Sequence, residues 1–99
     1  MPSFELTNNI PNKTPTECFN LACEIYPQIG FSIWKKREIG WLVLAKKKEN
    51  DVEIDSNFSA RPTNPTAVTV IVSSSKASKE ELEENANQFM KEFLQKSSA

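Results

Sequence analysis

A pair of neighbouring strand-like segments places the strongest constraint on the fold of this chain. Residues 51–60 alternate between polar and apolar side chains, residues 40–48 hold a second β-prone segment, and only the short link Glu49-Asn50 separates them. Alternation of this kind is typical of a strand with one buried face, and a short polar link is typical of a tight turn. The two segments therefore predict an antiparallel β-hairpin.

The register of this hairpin follows from a two-residue turn at Glu49-Asn50. Such a turn places Lys48 opposite Asp51. It also places Lys46 opposite Glu53, so that opposite charges face each other across the strands. The same register gathers the apolar side chains on one face: Trp41, Val43, Ala45, Val52, Ile54 and Phe58. Because the charged pairs and the apolar pairs agree, we expect one face of this hairpin to be buried.

Two helix-start motifs flank the strand-rich middle of the chain. Residues 14–17 (Thr-Pro-Thr-Glu) and 78–81 (Ser-Lys-Glu-Glu) both match the capping box, in which the first and last residues cap each other's backbone amides. An apolar stripe at helical spacing follows the first motif up to Gly30, a typical helix stop: Cys18, Leu21, Ala22 and Ile25. A second stripe follows the other motif: Leu82, Ala86, Phe89, Met90, Phe93 and Leu94.

Three further segments predict strands, at residues 3–10, 31–37 and 66–73. The resulting element order is β-α-β-β-β-β-α. We expect an α+β fold with one mostly antiparallel sheet and two helices packed on one of its faces. A length of 99 residues suits a single domain that spans residues 1–99.

The element order and one local pattern resemble known families. The pattern consists of Gly30-Phe31-Ser32-Ile33, then Lys35-Lys36-Arg37-Glu38, then Gly40-Trp41. The element order resembles the helix-grip architecture of the START and polyketide-cyclase-like superfamily in a reduced form. The pattern is similar to the small domains of the outer-membrane β-barrel assembly lipoproteins, in which a helix runs into a Gly-Phe strand start. The resemblance implies this fold and assigns no functional residue.

The composition excludes several classes of function. Twelve basic and thirteen acidic residues give a net charge of −1, which excludes a globally basic nucleic-acid binder and a highly charged disordered chain. The absence of histidine removes the commonest general base and the commonest zinc ligand. The only two glycines, Gly30 and Gly40, exclude a glycine-rich phosphate loop. We expect no cofactor and no metal.

Cys18 and Cys23 are the candidate thiol nucleophiles. Their spacing turns the two side chains about 140° apart around a helix, so we expect free thiols. Cys18 lies in the first helical turn, where the helix dipole lowers the pKa of a thiol. Its place on the apolar stripe, and the lack of a histidine base, favour an inert core thiol instead. We therefore expect no enzymatic activity.

Trp34 and Trp41 are the candidate ligand-binding residues. Together they would line an apolar pocket between the sheet and a helix, with Arg61 and Asp55 at its mouth. The alternatives are that both tryptophans belong to the core or its edge, and that Arg61 is a solvent-facing loop charge.

Half of the basic residues form an alternative candidate site. Six of the twelve lie within fourteen positions, with both tryptophans nearby: Lys35, Lys36, Arg37, Lys46, Lys47 and Lys48. A basic, aromatic sheet surface of this kind binds phosphates and stacks bases. Lysines also keep strand ends soluble and protect sheet edges, and neighbouring acidic residues neutralise much of this charge.

These features predict a small non-enzymatic binding or protein-interaction module. Its site is either the crevice between sheet and helices, which would take a small apolar ligand, or the sheet face, which would dock another protein. Exposure of Leu42, Leu44 and Ile71 on that face would favour a homodimer. Nucleic-acid binding through residues 34–48 is the alternative function. No apolar run approaches the roughly 20 residues of a membrane span, and no signal peptide is visible, so we expect a cytoplasmic chain.

Overall fold

The computed structural model describes residues 2–98 and contains a five-stranded sheet and two helices. The elements in chain order are β1 Ser3–Ile10, α1 Pro15–Gln28, β2 Ser32–Arg37, β3 Leu42–Glu49, β4 Val52–Arg61, β5 Thr66–Ser73 and α2 Lys79–Ser97. The strands lie in the order β1-β5-β4-β3-β2, and every neighbouring pair is antiparallel. The predicted α+β fold, with its β-α-β-β-β-β-α order, is confirmed.

β1, the first strand in the chain, lies beside β5, the last strand in the chain. β2, β3, β4 and β5 follow one another as neighbours, whereas β1 pairs with β5, so that Phe4 lies opposite Val72. α1 connects β1 to the opposite edge of the sheet, where β2 lies. β1 and β2 are therefore the two edge strands.

Hydrogen bonds at Thr14 and Ser78 mark the beginnings of the two helices. The Thr14 Oγ1 accepts from the Glu17 amide at 3.2 Å, and the Glu17 carboxylate accepts from the Thr14 amide at 2.9 Å. These bonds complete the predicted capping box and hold the pKa of Glu17 below its usual value. The Ser78 Oγ likewise accepts from the Glu81 amide at 3.2 Å, but the Glu81 carboxylate lies 3.4 Å from the Ser78 hydroxyl instead of its backbone amide. The second predicted capping box is therefore only half formed.

The core lies between the two helices and the inner face of the sheet, the face that the helices cover. An aromatic cluster joins these layers. The ring centroid of Phe89 on α2 lies 4.7 Å from that of Tyr26 on α1 and 5.8 Å from that of Phe58 on β4. Phe93, one turn later on α2, lies 5.6 Å from Phe58. All four rings are buried, so the cluster holds both helices on one face of the sheet.

The apolar stripe of α2 is buried except at its last member. Leu94 is 40% exposed, whereas the preceding residue Phe93 is completely buried. Consecutive helical side chains point about 100° apart, so only one of this pair faces the sheet. The expectation that Leu94 belongs to the buried stripe is therefore wrong.

The β3–β4 hairpin turns at Asn50-Asp51, one position later than predicted. Both residues have positive φ angles, 52° and 63°, which suit a type I′ turn and which Asn and Asp tolerate better than most residues. The register predicted from a turn at Glu49-Asn50 is wrong, because Lys48 pairs with Glu53 instead of Asp51. The shift moves every partner by two positions, so the inward and outward faces remain as predicted.

Lys46 explains why the charge pattern did not distinguish the two registers. It pairs with Asp55 in the ladder, not with Glu53 as predicted. Its Nζ nevertheless forms a salt bridge with the Glu53 carboxylate at 3.4 Å, across the diagonal. Because the lysine side chain spans that diagonal, opposite charges are satisfied in either register.

Candidate functional site

A β-bulge in β2 introduces an extra residue at the edge of the sheet. The ladder with β3 pairs Ile33 with Ala45 and then Lys35 with Leu44, so Trp34 has no partner in that ladder. Ile33 and Lys35, the residues on either side of Trp34, pair with two consecutive residues of β3. The ladder would therefore be continuous without Trp34. Trp34 is therefore the residue that the bulge inserts.

The bulge also decides which lysine of β2 faces the helices. In a regular ladder Lys35 would oppose Val43, which is buried beneath the helices. With the bulge, Lys36 opposes Val43, and Lys35 opposes Leu44 on the other face. Trp34 and Lys35, which are consecutive in β2, therefore both lie on the side of the sheet without helices.

Trp34 is the most exposed aromatic side chain on this side of the sheet. It is 56% exposed, and the Lys46 Nζ lies 5.5 Å from its ring centroid. Lys35 and Arg37 lie on the same side of the sheet, where they pair with Leu44 and Leu42 of β3. The indole is therefore bordered by cationic side chains.

We call the side of the sheet without helices the open face. Its central row crosses all five strands and consists of Glu5, Ile71, Asn57, Leu44 and Lys35. The adjacent row consists of Thr7, Thr69, Ser59, Leu42 and Arg37. Both helices lie on the inner face, so no helix among residues 2–98 covers these rows. Apolar side chains are partly exposed near the middle, and charged side chains lie at both ends of the central row.

The two tryptophans lie on opposite faces of the sheet and do not form one site. The Trp41 Nε1 donates a hydrogen bond to the Thr16 Oγ1 at 3.2 Å, which places this indole against α1. Trp41 has a φ of 51° in the turn before β3 and is half-buried at the edge of the core. The predicted pocket between Trp34 and Trp41 is therefore absent from the described part of the chain.

Arg61 does not join either tryptophan at a pocket mouth. It is the last residue of β4, pairs with Ala67 and is exposed. Because the preceding Ala60 is buried on the inner face, Arg61 lies on the open face. Asp55, the second residue predicted at the mouth, lies on the open face beside Lys46.

Three clefts beside the helices are small. The cleft beside Trp41 has a volume of about 160 Å³ and is lined by Thr16, Phe19, Asn20, Glu38 and Trp41. Two further clefts, near the end of α2 and between the helices, measure about 190 Å³ and 240 Å³. Sites for small organic ligands usually enclose about 300–1,000 Å³. The geometry therefore favours a surface site over a crevice.

The six clustered basic residues are divided between the two faces. Four lie on the open face: Lys35, Arg37, Lys46 and Lys48. Lys36 and Lys47 lie on the side of the helices, where the Lys47 Nζ is 4.9 Å from the ring centroid of Phe31. The open face also carries Glu53 and Asp55 next to its lysines. These residues therefore do not form one continuous basic surface.

The two cysteines lack the features of an activated nucleophile. Cys18 is completely buried, and this burial raises the pKa of its thiol to about 11. Cys23 is half-buried, and desolvation raises its pKa although Lys36 acts in the opposite direction. Both are free thiols, as predicted. Across residues 2–98, no three His, Cys, Asp or Glu side chains come together as metal ligands.

Sequence reasoning missed two residues of the central row, Glu5 and Asn57. Their outward orientation follows from strand alternation. Their alignment with Lys35 depends on the pairing of β1 with β5 and on the bulge at Trp34. Neither relationship has a local sequence signal.

Comparison of the chain with protein-family models and with curated proteins returns no match. Neither helix of the described region combines the length and apolar character needed to cross a membrane.

Proposed function

We propose that this chain is a small non-enzymatic protein-interaction module that docks another polypeptide on its open face. The single observation that carries the proposal is Trp34. This indole is 56% exposed, and it is the residue that the bulge adds to an otherwise continuous ladder. Bulges are frequent where a strand re-aims a side chain for function.

The energetics of an exposed indole favour a docking role. A tryptophan buries roughly 150–250 Å² when it is fully covered, so about 100 Å² of Trp34 is still available to a partner. Covering that area would contribute about 2–3 kcal/mol to binding. Tryptophan and arginine are also enriched among the residues that dominate protein–protein affinity, and Arg37 lies on the same face.

Two further observations support a binding role over catalysis. The clefts are smaller than typical ligand sites. The buried Cys18 has a raised pKa, which keeps its thiol protonated near neutral pH.

Site-specific photocrosslinking in the native host tests this proposal. A benzoylphenylalanine crosslinker replaces Asn57, an exposed residue in the centre of the open face. A matched crosslinker replaces Gln88, an exposed residue on α2. We expect protein adducts from position 57 and not from position 88, and deletion of Trp34 should remove most of them. Equal adduct yields from both positions, or none from position 57, would contradict the proposal.

Nucleic-acid binding is the second candidate function, and the same bulge favours it. Trp34 lies beside Lys35 and Lys46 on one open surface, where an aromatic ring would stack on a base while the cations contact phosphates. The acidic Glu53 and Asp55 on the same face oppose this function.

Fluorescence anisotropy with a labelled single-stranded oligonucleotide separates the two functions. We expect no binding at about 50 mM or about 200 mM salt. Salt-dependent binding would favour nucleic acid if it were lost in Lys35→Glu/Arg37→Glu. It should then persist in the matched variant Lys36→Glu/Lys47→Glu, whose changes lie on the other side of the sheet.

A further inference from the structure

We infer that the free edge of β1 pairs with the β1 strand of a second copy of this chain, in antiparallel orientation. A two-fold axis perpendicular to the sheet relates the two copies and passes between their Thr7 residues. The two sheets then join into one continuous sheet whose helices all lie on the same side. This dimer goes beyond the proposed function, because the open faces of both copies stay uncovered in it.

The two edge strands of the sheet differ in their protection against pairing. β2 contains the bulge at Trp34 and three basic residues, Lys35, Lys36 and Arg37. Bulges and cationic side chains are common means by which proteins prevent sheet edges from pairing. β1 pairs with β5 along its whole length without a register shift, and Glu5 is its only charged residue. Pairing of β1 with itself therefore covers the unprotected edge and leaves only the protected β2 edges uncovered.

The backbone groups on the free edge of β1 belong to its odd-numbered residues. The Ser74 amide donates a hydrogen bond to the Pro2 carbonyl at 3.4 Å, so the carbonyl of Pro2 faces β5. Along an antiparallel strand, residues alternately direct their N–H and C=O groups toward one neighbour and away from it. Glu5, Thr7 and Asn9 therefore direct theirs to the free edge, where no strand within residues 2–98 pairs with them. The complement of such an edge is another extended strand.

A second copy of β1 supplies that strand with matching groups. With the axis between the two Thr7 residues, Thr7 pairs with Thr7 of the second copy, and Glu5 pairs with Asn9 of the second copy. By symmetry Asn9 pairs with Glu5 of the second copy. Each of these pairs forms two backbone hydrogen bonds. On the open face, the Glu5 carboxylate lies opposite a side-chain amide that can donate a hydrogen bond to it.

The charge of Glu5 selects this register from the neighbouring ones. An axis at Glu5 would place the two carboxylates directly opposite each other, and an axis at Leu6 would make them diagonal neighbours. Like charges in such positions are unfavourable. An axis at Asn8 would leave Glu5 beyond the end of the strand it pairs with. The axis at Thr7 avoids both problems, and β5 adds no charged residue beside it.

The direction of α2 supports the same arrangement. Ser74, shortly before α2, bonds to Pro2 at the start of β1, whereas Leu94 near the end of α2 lines a cleft with Ile10 at the end of β1. α2 therefore runs beside β1 in the same direction, and the two-fold axis makes the two α2 helices antiparallel. The acidic beginning of each helix then lies at the same end as the more basic end of the other. The charges are Lys79, Glu80, Glu81, Glu83 and Glu84 at the beginning, and Lys91, Glu92 and Lys96 at the end.

The inner face of β1 also gains an apolar contact. Phe4 is only partly buried, and it lies opposite Ile10 of the second copy in this register. The cleft of about 190 Å³ beside Ile10 is bordered by Leu94, which is 40% exposed, so Phe4 of the second copy adds an apolar side chain at this cleft. One pair is mixed, because Leu6 faces Asn8 of the second copy. Since one strand from each copy forms most of the contact, we expect a dimer that dissociates in the micromolar range or above.

Sedimentation velocity of the full chain from about 1 µM to about 1 mM tests the dimer. Thr7 is exposed, so Thr7→Lys alone and Thr7→Glu alone should fold and should each weaken the dimer about 10-fold, because like charges then meet at the axis. An equimolar mixture of the two variants should form a heterodimer, since opposite charges meet there. Asn57→Lys is the matched control, because it adds the same charge to an exposed residue on the open face of the central strand. It should leave dimerisation unchanged.

Amide hydrogen exchange of the wild-type chain tests the edge directly. The Thr7 amide points to the free edge and should exchange at least about 10-fold more slowly at high protein concentration than at low concentration. The Leu6 amide points to β5 and is the internal control, which should be protected at both concentrations.

Recovery of the dimer in the mixture, with circular dichroism showing that each variant is folded, supports pairing through β1. A folded wild-type chain that stays monomeric at every concentration would overturn it. A dimer that Asn57→Lys weakens as much as Thr7→Lys, or a dimer in which the Thr7 amide exchanges freely, would overturn it as well. The proposed function fails on a separate result, the absence of adducts from the crosslinker at position 57.

Discussion

Tyr26 on α1 and Ser56 on β4 form a hydrogen bond between their hydroxyl oxygens at 2.8 Å, and both side chains are buried. The bond joins the helical layer to the inner face of the sheet. Each hydroxyl is the hydrogen-bond partner of the other, so neither is left unpaired in an otherwise apolar and aromatic interior.

Loss of both partners in this pair should cost less than the two single losses added together. Tyr26→Phe leaves the buried Ser56 hydroxyl without its partner, and we expect the free energy of unfolding to fall by about 1–3 kcal/mol. Ser56→Ala should have a similar effect. The double variant Tyr26→Phe/Ser56→Ala should lose clearly less than the sum, as measured by urea denaturation in a double-mutant cycle. Strict additivity would show that the bond does not couple the two residues.

Replacement of Asp51 by glycine should stabilise the turn at Asn50-Asp51. Asp51 has a φ of 63°, a conformation that glycine adopts without a steric cost. We expect Asp51→Gly to raise the free energy of unfolding by about 0.5–1 kcal/mol, and Asp51→Val to lower it by about 1–2 kcal/mol. Thermal melts of both variants check the prediction, and it is contradicted if valine is tolerated as well as glycine.

Deletion of Trp34 should leave the fold intact. The remaining β2 residues already pair in a continuous ladder, so we expect the free energy of unfolding to change by less than about 1 kcal/mol. Deletion of Ala45 is the control, because it would turn the rest of β3 over and expose its buried face. Urea denaturation compares the two deletions, and a Trp34 deletion as harmful as the control would show that the bulge is structural.

Two neighbouring residues on α2 should differ sharply in their contribution to stability. Phe93 is completely buried against Phe58, so Phe93→Ala should cost about 3–5 kcal/mol. Leu94 is 40% exposed, and Leu94→Ala should cost less than about 1 kcal/mol. Chemical denaturation of the two single variants gives both numbers. Similar losses would place Leu94 in the core after all.

Stability should fall at alkaline pH. An unfolded thiol titrates near pH 9.0, whereas burial raises the pKa of Cys18 to about 11 in the folded chain. Above pH 9 the unfolded state therefore releases a proton that the native state retains, and stability declines until about pH 11. The decline amounts to about 2–3 kcal/mol from this thiol, and the raised pKa of Tyr26 adds to it at higher pH. Urea midpoints from pH 8 to pH 11 measure it, and Cys18→Ala should show a shallower decline; equal slopes would assign the effect to other groups.

The inward and outward faces of the strands were predictable because side chains alternate with a period of two. Val68, Val70 and Val72 are buried on one face of β5, as their spacing indicates. The hairpin register was not predictable from charge, since Lys46 reaches Glu53 from the observed register as readily as from the predicted one.

The candidate site was less predictable than the fold because it depends on long-range pairing. Trp34 and Trp41 are both plausible pocket residues in the sequence. Trp34 follows the inward-facing Ile33 and lies on the open face, whereas the turn before β3 places Trp41 against α1. Glu5 and Lys35 are thirty positions apart in the chain and join one row only because β1 lies beside β5. No local periodicity encodes that relationship.

The pairing of β1 with β5 has a consequence for synthesis on the ribosome. β1 ends at Ile10, and its partner begins only at Thr66. At roughly 5–20 residues per second, about 3–11 s of translation separate the two segments. During this interval the backbone N–H and C=O groups of β1 lack the strand with which they pair in the sheet, so β1 takes its native place only after β5 has been made.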